Sequence, residues 1–332
     1  MVRAICGQGF YAAVMSLVVT GTVGIDSVYL PTGNGERVLG GSAVYFAAAA
    51  GLFGPVRMVA VVGEDFPPEH AGLISRLQNV DSNGLSVRPG GKTFSWAARY
   101  SADMNSRETL STELGVVGEG APEVPASYRG SRMVFLANMH PAQQLALLRQ
   151  FPQCGLVVAD TMDLWINVAR YDLGLLLREV DGLVLNFDEA ELLTSTKNTV
   201  TAAKHLLNMG PRFVIVKKGE HGCLFAIREG DDAGQVLIGA LPAYPTETVI
   251  DPTGAGDTFA GGFMGHLAAT LSQHARPGMK FPLSLPTLRA ALARGTVAAS
   301  FTIEDFSLNR FKTLGRNELE DRLQTFADMV RV

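Results

Sequence analysis

The chain is short of cysteine, of basic runs and of long apolar stretches, and each shortage removes a class of function. Its three cysteines, Cys6, Cys154 and Cys223, are odd in number. They show no CxxC spacing and no histidines placed as in zinc sites, so they read as reduced, buried or incidental thiols. None of the six histidines has an i, i+4 partner of the metal-binding kind. No tract of lysine or arginine stands out, and a formal net charge of -4 offers no field for a nucleic-acid backbone. No apolar run approaches the ~20 residues needed to cross a bilayer. The opening MVRAICGQGFYAAVMSLVVTGTVG has a basic residue before an apolar stretch, as a signal peptide does. Its SLVVTGTVGID part is instead a β-branched run ending in turn residues, which suits a first buried strand. A cytoplasmic protein with a short N-terminal extension and a small-molecule ligand is the expectation. Internal repeats, low-complexity linkers and the GxGxxG dinucleotide spacing are missing as well.

What the chain has is alternation. Of its 332 residues 47% are hydrophobic and 18% charged, which permits a large core. Short apolar runs recur: SLVVTG, VRMVAVVG, RMVFLAN, GLVVAD, GLVLN and RFVIVKKG. Between most of them lie amphipathic segments such as SAVYFAAAAGLF, QQLALLRQF and TAAKHLLNM. Continuous apolar strands alternating with helices predict an α/β fold, doubly wound, with a mostly parallel central sheet covered by helices on both faces. A single domain over residues 1–332 is expected. One region departs from this pattern: in GKTFSWAARYSADMNSRETLSTEL, Phe94, Trp96, Ala98 and Tyr100 share one strand face, and Thr93, Ser95, Ala97 and Arg99 the other. With SVYLPTGNGERVL it predicts a small β-strand lid from about 26–40 and 92–115; an ordinary edge strand packed on the core is the alternative.

The segment DPTGAGDTFAGGF, residues 251–263, holds four glycines and two aspartates. Following ETVI, expected to be strand-like, it leads into helical spacing through Phe259, Phe263 and Leu267. A helix N-terminus presents unpaired N–H groups and a partial positive charge, and small residues at 254–256 let an anion come close. The expected anion is a phosphate. Asp257 in the first turn is either a favourable cap or, beside a bound phosphate, a base for an attacking hydroxyl. Gly261, Gly262 and Gly265 lie inside the helix, where each costs up to about 1 kcal/mol unless close packing offsets it.

The spacing and chemistry of DPTGAGDTFAGGF resemble the C-terminal signature of the PfkB family, the ribokinase-like carbohydrate kinases, usually written DTxGAGD. The resemblance implies an anion hole for a γ-phosphate at Gly254, Ala255 and Gly256, with Thr253 beside it and Asp257 as catalytic base. In LVLNFDEAELL, Asn186 and Glu189 are spaced as a capping box. They also resemble the family's N-x-x-E motif, whose Glu positions Mg2+ through water, and both readings can hold together. FVIVKKGEHGCLF resembles the strand-turn-strand bordering the nucleotide, with Gly219 and Gly222 in the turn; Lys217 is either a phosphate contact or a solvated lysine. ARGTVAASFTIEDF corresponds in position to the adenine-side helix and loop. Asp26 in GTVGID, with Gly40 and Gly41 in GGSAVYF, resembles the family's substrate site, since a carboxylate can accept from two adjacent hydroxyls. Asp26 could equally be a turn residue. Two departures stand out: Tyr45 occupies the Asn of GGxxxN, implying a narrower or more aromatic pocket, and Pro252 replaces a Thr. Asn138 and Asp160 follow strand ends, where open α/β sheets bind ligands, although a loop-stabilising role is equally open. Trp165 is either a pocket wall or core.

Taken together, the resemblance implies an ATP-dependent kinase that transfers a γ-phosphoryl group to a hydroxymethyl group of a sugar or sugar-like alcohol. ATP, Mg2+ and a monovalent cation are the implied cofactors. A homodimer through the lid is expected, because pairing would cover exposed strand edges. A nucleoside kinase of the same family is the alternative acceptor class. A non-catalytic sugar-binding regulator and a nicotinamide-dependent oxidoreductase are the rivals from other classes.

Overall fold

The computed structural model describes residues 17–229, 234–271 and 278–331, so Cys6 and the expected N-terminal extension lie outside the described residues. The six apolar runs become β1 (Leu17–Thr20), β4 (Val56–Gly63), β8 (Met133–Leu136), β9 (Leu156–Asp160), β10 (Gly182–Asn186) and β11 (Phe213–Lys217). They are six neighbours in one nine-stranded sheet, ordered β13-β12-β11-β10-β9-β8-β1-β4-β5. Every pair from β11 to β5 (Val80–Arg88) is parallel; β12 (Cys223–Glu229) and β13 (Gln235–Leu241) close one edge antiparallel.

The runs are continuous because both faces of each strand are buried. Leu17, Val19, Met58, Ala60, Val158, Val184 and Ile215 point into one core layer, shared with α1 (Ser42–Gly51), α8 (Ala255–Leu271) and α9 (Leu285–Thr302). The intervening Val18, Val59, Val61, Val157, Leu183 and Val214 point into the other, shared with α3 (Pro141–Leu148), α5 (Arg170–Leu177), α6 (Phe187–Thr194) and α7 (Thr199–Leu207). Between β5 and α3 the chain crosses from one side of β1 to the other, so β1 and β8 flank the point where strand order reverses. Open α/β sheets bind ligands at the carboxyl ends of the strands there.

A second sheet, ordered β3-β2-β6-β7, consists of β2 (Gly24–Leu30), β3 (Gly33–Gly40), β6 (Phe94–Tyr100) and β7 (Arg107–Glu113). It leaves the main sheet directly after β1, which places its inner face over those same strand ends. Phe94 and Ala98 are buried while β7 is almost wholly exposed. The interior glycines of α8 answer to helix packing. A side chain on Gly261 or Gly265 would run into the backbone of α1 at Phe46 or Ala50, and one on Gly262 into α9 at Arg294 and Gly295.

Candidate active site

The expected strand before the glycine turn does not form. Residues 248–250 are irregular, and Ile250 is fastened instead by its N–H to the Ile303 carbonyl at 2.8 Å and by the Thr32 hydroxyl on its own carbonyl at 2.7 Å. Apolar β-branched residues suggested a strand, but tertiary hydrogen bonds took the backbone groups a ladder would have used. Buried Asp251 then accepts from the Thr253 N–H at 2.9 Å, which tightens the turn. Gly254 sits at φ +76, and any side chain there would enter the ring of Tyr45. The turn therefore needs glycine for conformation and for space alike.

The amides of this turn are not equivalent. The Ala255 N–H turns back to the Pro252 carbonyl at 3.2 Å, whereas the N–H groups of Gly256 and Asp257 have no main-chain acceptor among the described residues. The Thr258 hydroxyl braces the turn from below, 2.9 Å from the Gly254 carbonyl and 3.0 Å from that of Ala255; it accepts in turn from Thr302 at 2.7 Å. Two amides without a main-chain acceptor, that of Asp257 facing its own carboxylate, stand at the mouth of a 17-residue helix, as an anion site needs.

Three carboxyl groups, Asp257, Asp160 and Glu189, and two cations, Lys217 and Arg107, act on one another around that mouth. Burial pushes Asp257 up to about 6, against the nearby charges of Lys217 and Arg107, which favour its ionised form. Asp160 ends β9, is 5% exposed and has an unpartnered Oδ1; burial and then Asp257 hold its pKa well above the ordinary range. Glu189 and Asn186 do form the capping box, with Asn186 Oδ1 accepting from Glu189 N–H at 2.8 Å and Glu189 Oε2 accepting from Asn186 N–H at 2.7 Å. Burial raises Glu189 too, and Lys217 opposes it. Lys217, at the end of β11, is thus the shared counter-charge, yet among the described residues no carboxylate lies within 4.0 Å of its Nζ in an ion pair. An unpaired ammonium above two free amides extends the anion-binding surface.

On the acceptor side, Asp26 in β2 is 4% exposed, with Oδ1 unpartnered. Burial, and then the charges of Asp257 and Asp251, push it up to about 7, while the Gly41 N–H favours its ionised form. Gly40 leaves the room that the Asp26 carboxylate fills, and a side chain on Gly41, at φ +104, would run into the Thr22 carbonyl. The glycine pair thus accommodates protein as well as any ligand. Tyr45 is 2% exposed and backs Gly254 with its ring, so only its phenol is left for an acceptor. Among the described residues the buried phenol has no hydrogen-bond partner; the nearby Ser307 hydroxyl, which opposes the rise of its pKa, is given to Leu39. Asn138 stands apart. Its Oδ1 accepts from Trp165 Nε1 at 2.8 Å and its Nδ2 lies 3.0 Å from Met162 Sδ, which makes it the clamp of a loop holding a buried Trp165.

The second sheet supplies two residues that sequence reasoning missed. Tyr100 accepts from the Thr253 hydroxyl at 3.2 Å, and burial raises its pKa. Arg107 pairs with Tyr100 across β6 and β7, lies 5.7 Å over the Trp96 ring, and acts electrostatically on both Asp257 and Glu189. Folding the SADMNS stretch as a hairpin turn puts 100 and 107 opposite each other, a signal that could have exposed Arg107. The same turn touches Gly219–His221 through Asn105 Nδ2 and Glu220 Oε1 at 3.2 Å. Gly219 and Gly222 both have positive φ, as that turn requires.

Comparison with known proteins agrees with this geometry. The model of the pfkB family carbohydrate kinase matches residues 138–312. A cytidine kinase of Thermococcus kodakarensis is 32% identical over 258 residues, 75% of this chain and 87% of that protein. Among solved structures, a ribokinase from Giardia lamblia superposes with a TM-score of 0.75 at 18% identity, covering 94% of this chain and 99% of that one. A Burkholderia thailandensis nucleoside kinase in complex with inosine gives 0.71 at 18% identity, covering 93% and 98%. No described helix is long and apolar enough to cross a membrane. With a ribokinase-like fold, a glycine turn feeding a long helix and a family match over half its length, this chain belongs to the pfkB family of carbohydrate kinases.

Proposed function

We propose that the protein is an ATP-dependent kinase that phosphorylates the hydroxymethyl group of a nucleoside, within the broader class of sugar-like alcohols. The observation that carries the reading is the placement of Asp257 at two amides with no main-chain acceptor, beside the Lys217 ammonium, which has no ion-pair partner among the described residues. In this reading Asp257 takes the proton of the acceptor hydroxyl as its oxygen bonds to the γ-phosphorus. The bond to the β,γ-bridging oxygen breaks, and ADP leaves. The amides of Gly256 and Asp257, with Lys217, receive the charge of the transferring group. Asp26 and Asp160, each with an unpartnered buried oxygen, would hold acceptor hydroxyls. Magnesium bound with the nucleotide would neutralise phosphate charge, and Glu189, whose other oxygen has no protein donor among the described residues, would hold it through water.

The nucleoside is favoured over a free sugar by the relative's name, cytidine kinase, and by the partly exposed Trp96 and Tyr100 on the second sheet. That sheet would act as the lid, excluding water from the transfer. Its exposed β7 edge supports a homodimer through the same sheet; sedimentation at micromolar concentration tests this. Unpaired Cys154 and Cys223 accord with a cytoplasmic setting. Replacing K+ by Na+ in the assay decides the monovalent-cation requirement. The principal experiment offers cytidine, adenosine, inosine, ribose, fructose, 2-keto-3-deoxygluconate and inositol with ATP and Mg2+, and reads phosphorylated product by mass spectrometry. A nucleoside monophosphate is expected. Tight sugar binding without any transfer would overturn the reading in favour of a non-catalytic regulator.

A further inference from the structure

One strained residue lies between the two halves of the site and has no role in the chemistry above. Ser307 is buried, 8% exposed, and sits at φ +53, a left-handed conformation that non-glycine residues seldom adopt. Such strain persists where surrounding contacts over-determine it. The Ser307 N–H donates to Asp251 Oδ2 at 3.2 Å, and the hydroxyl donates to the Leu39 carbonyl at 2.6 Å. The first bond reaches the residue that opens the phosphate turn. The second reaches the residue directly before Gly40 and Gly41.

We propose that Ser307 is a positioning residue that ties the acceptor floor at Leu39–Gly41 to the phosphate turn at Asp251–Asp257, so that both halves of the site move together. What it joins follows from the register. Leu39 pairs with Ile25 and Val38 with Asp26 across β2 and β3, so a displaced Leu39 carries the Asp26 carboxylate with it. On the other side Asp251 already holds the Thr253 N–H, so a pull on Asp251 passes into the turn. Packing alone does not secure this junction. A cavity of about 170 Å³ opens beside it, lined by Val38, Leu39, His70, Phe306, Ser307 and Leu308, and gives the Leu39 strand room to shift once the hydroxyl is gone. Acceptor hydroxyl and phosphate must meet within a few tenths of an ångström of the productive geometry, which makes a rigid tie between their binding surfaces consequential.

The inference rests on the kinase reading for its functional meaning, and its test is arranged to separate the two. Ser307→Ala removes the hydroxyl and keeps the N–H; Ser307→Gly does the same while relieving the left-handed strain, so it keeps the fold if the alanine variant does not. Amide hydrogen exchange of the ligand-free full chain is expected to quicken in both variants at residues 24–41 and at 250–258 together. With the acceptor identified above, its KM is expected to rise about tenfold with a smaller fall in kcat. The factor by which that acceptor tightens binding of a non-hydrolysable ATP analogue should fall toward one. Exchange that quickens only at 305–309, or on one side of the bridge alone, overturns the proposal. So does an unchanged coupling factor. If the wild-type protein phosphorylates nothing, the functional reading falls while the exchange data still decide the tie.

Discussion

The Lys217 ammonium stands 2.8 Å from the point a side chain on Gly256 would first occupy, so the free amides of α8 and the nearest cation share one small space. Lys217 is also the strongest of the influences that oppose the burial-driven rise of Asp257. As the proposed base Asp257 must be ionised to accept a proton, so kcat/KM should increase with pH through an acidic limb near 6. In Lys217→Met that limb should move upward by about one pH unit and kcat fall about 10- to 100-fold, since an opposite charge within several ångströms shifts a carboxylate by about that much. Gly256→Ala, which displaces only the flexible ammonium, should show a smaller change in the same direction. A pH–rate profile of the three proteins checks this.

Asp257→Asn keeps the shape of the turn and its amides while removing the proposed base. Turnover should fall by roughly two to four powers of ten, as for loss of a general base. Binding of a non-hydrolysable ATP analogue, measured calorimetrically, should change by no more than about threefold, and the asparagine itself leaves no reason for a larger loss.

Asp26 carries its charge at a cost to the fold. Its folded pKa, about 7, lies above the ordinary 3.8, so the stability it contributes is present below 3.8 and lost as pH rises through 7. Asp26→Asn should therefore raise the melting temperature at pH 8 and lower it or leave it unchanged at pH 4. The difference between the two pH values is up to about 4 kcal/mol. The same variant should lose most acceptor binding. Thermal melts across pH, set beside acceptor KM, test both halves.

Tyr45 separates ring from hydroxyl. Its phenol is buried without a partner, and burial, then Asp251 and Asp26, keep it neutral by pushing its pKa well up. Tyr45→Phe should be more stable by about 1 kcal/mol, the usual order of an unsatisfied buried polar group, with acceptor KM raised about fivefold by loss of the one part of Tyr45 left for the acceptor. Gly254→Ala, which must enter that ring from a positive-φ position, should cost several kcal/mol and most of the activity. Chemical denaturation and steady-state kinetics distinguish the pair.

The main sheet was readable because six of its seven parallel strands are buried on both sides, so SLVVTG or RFVIVKKG appears as an unbroken apolar run. The capping box of Asn186 and Glu189 was readable for a similar reason: it is completed within four consecutive residues. Asn138 was not. Nothing local says that its amide will meet Trp165, 27 positions on. The ETVI segment misled because β propensity counts for little when Ile303 and Thr32 claim the backbone groups.

By itself, then, the sequence determined the layer architecture, the glycine turn with its following helix and aspartate, and the cap that orients Glu189, since each depends on periodicity or on contacts a few residues apart. Tertiary structure alone decided the rest. It left the amides of Gly256 and Asp257 without a main-chain acceptor among the described residues while engaging that of Ala255, put Lys217 over them with no ion-pair partner among the same residues, and brought Arg107 and Tyr100 from a second sheet. It also joined Leu39 to Asp251 through a strained Ser307. Those relationships depend on which faces meet across tens to hundreds of residues, and electrostatics between them follows distance and burial rather than order along the chain.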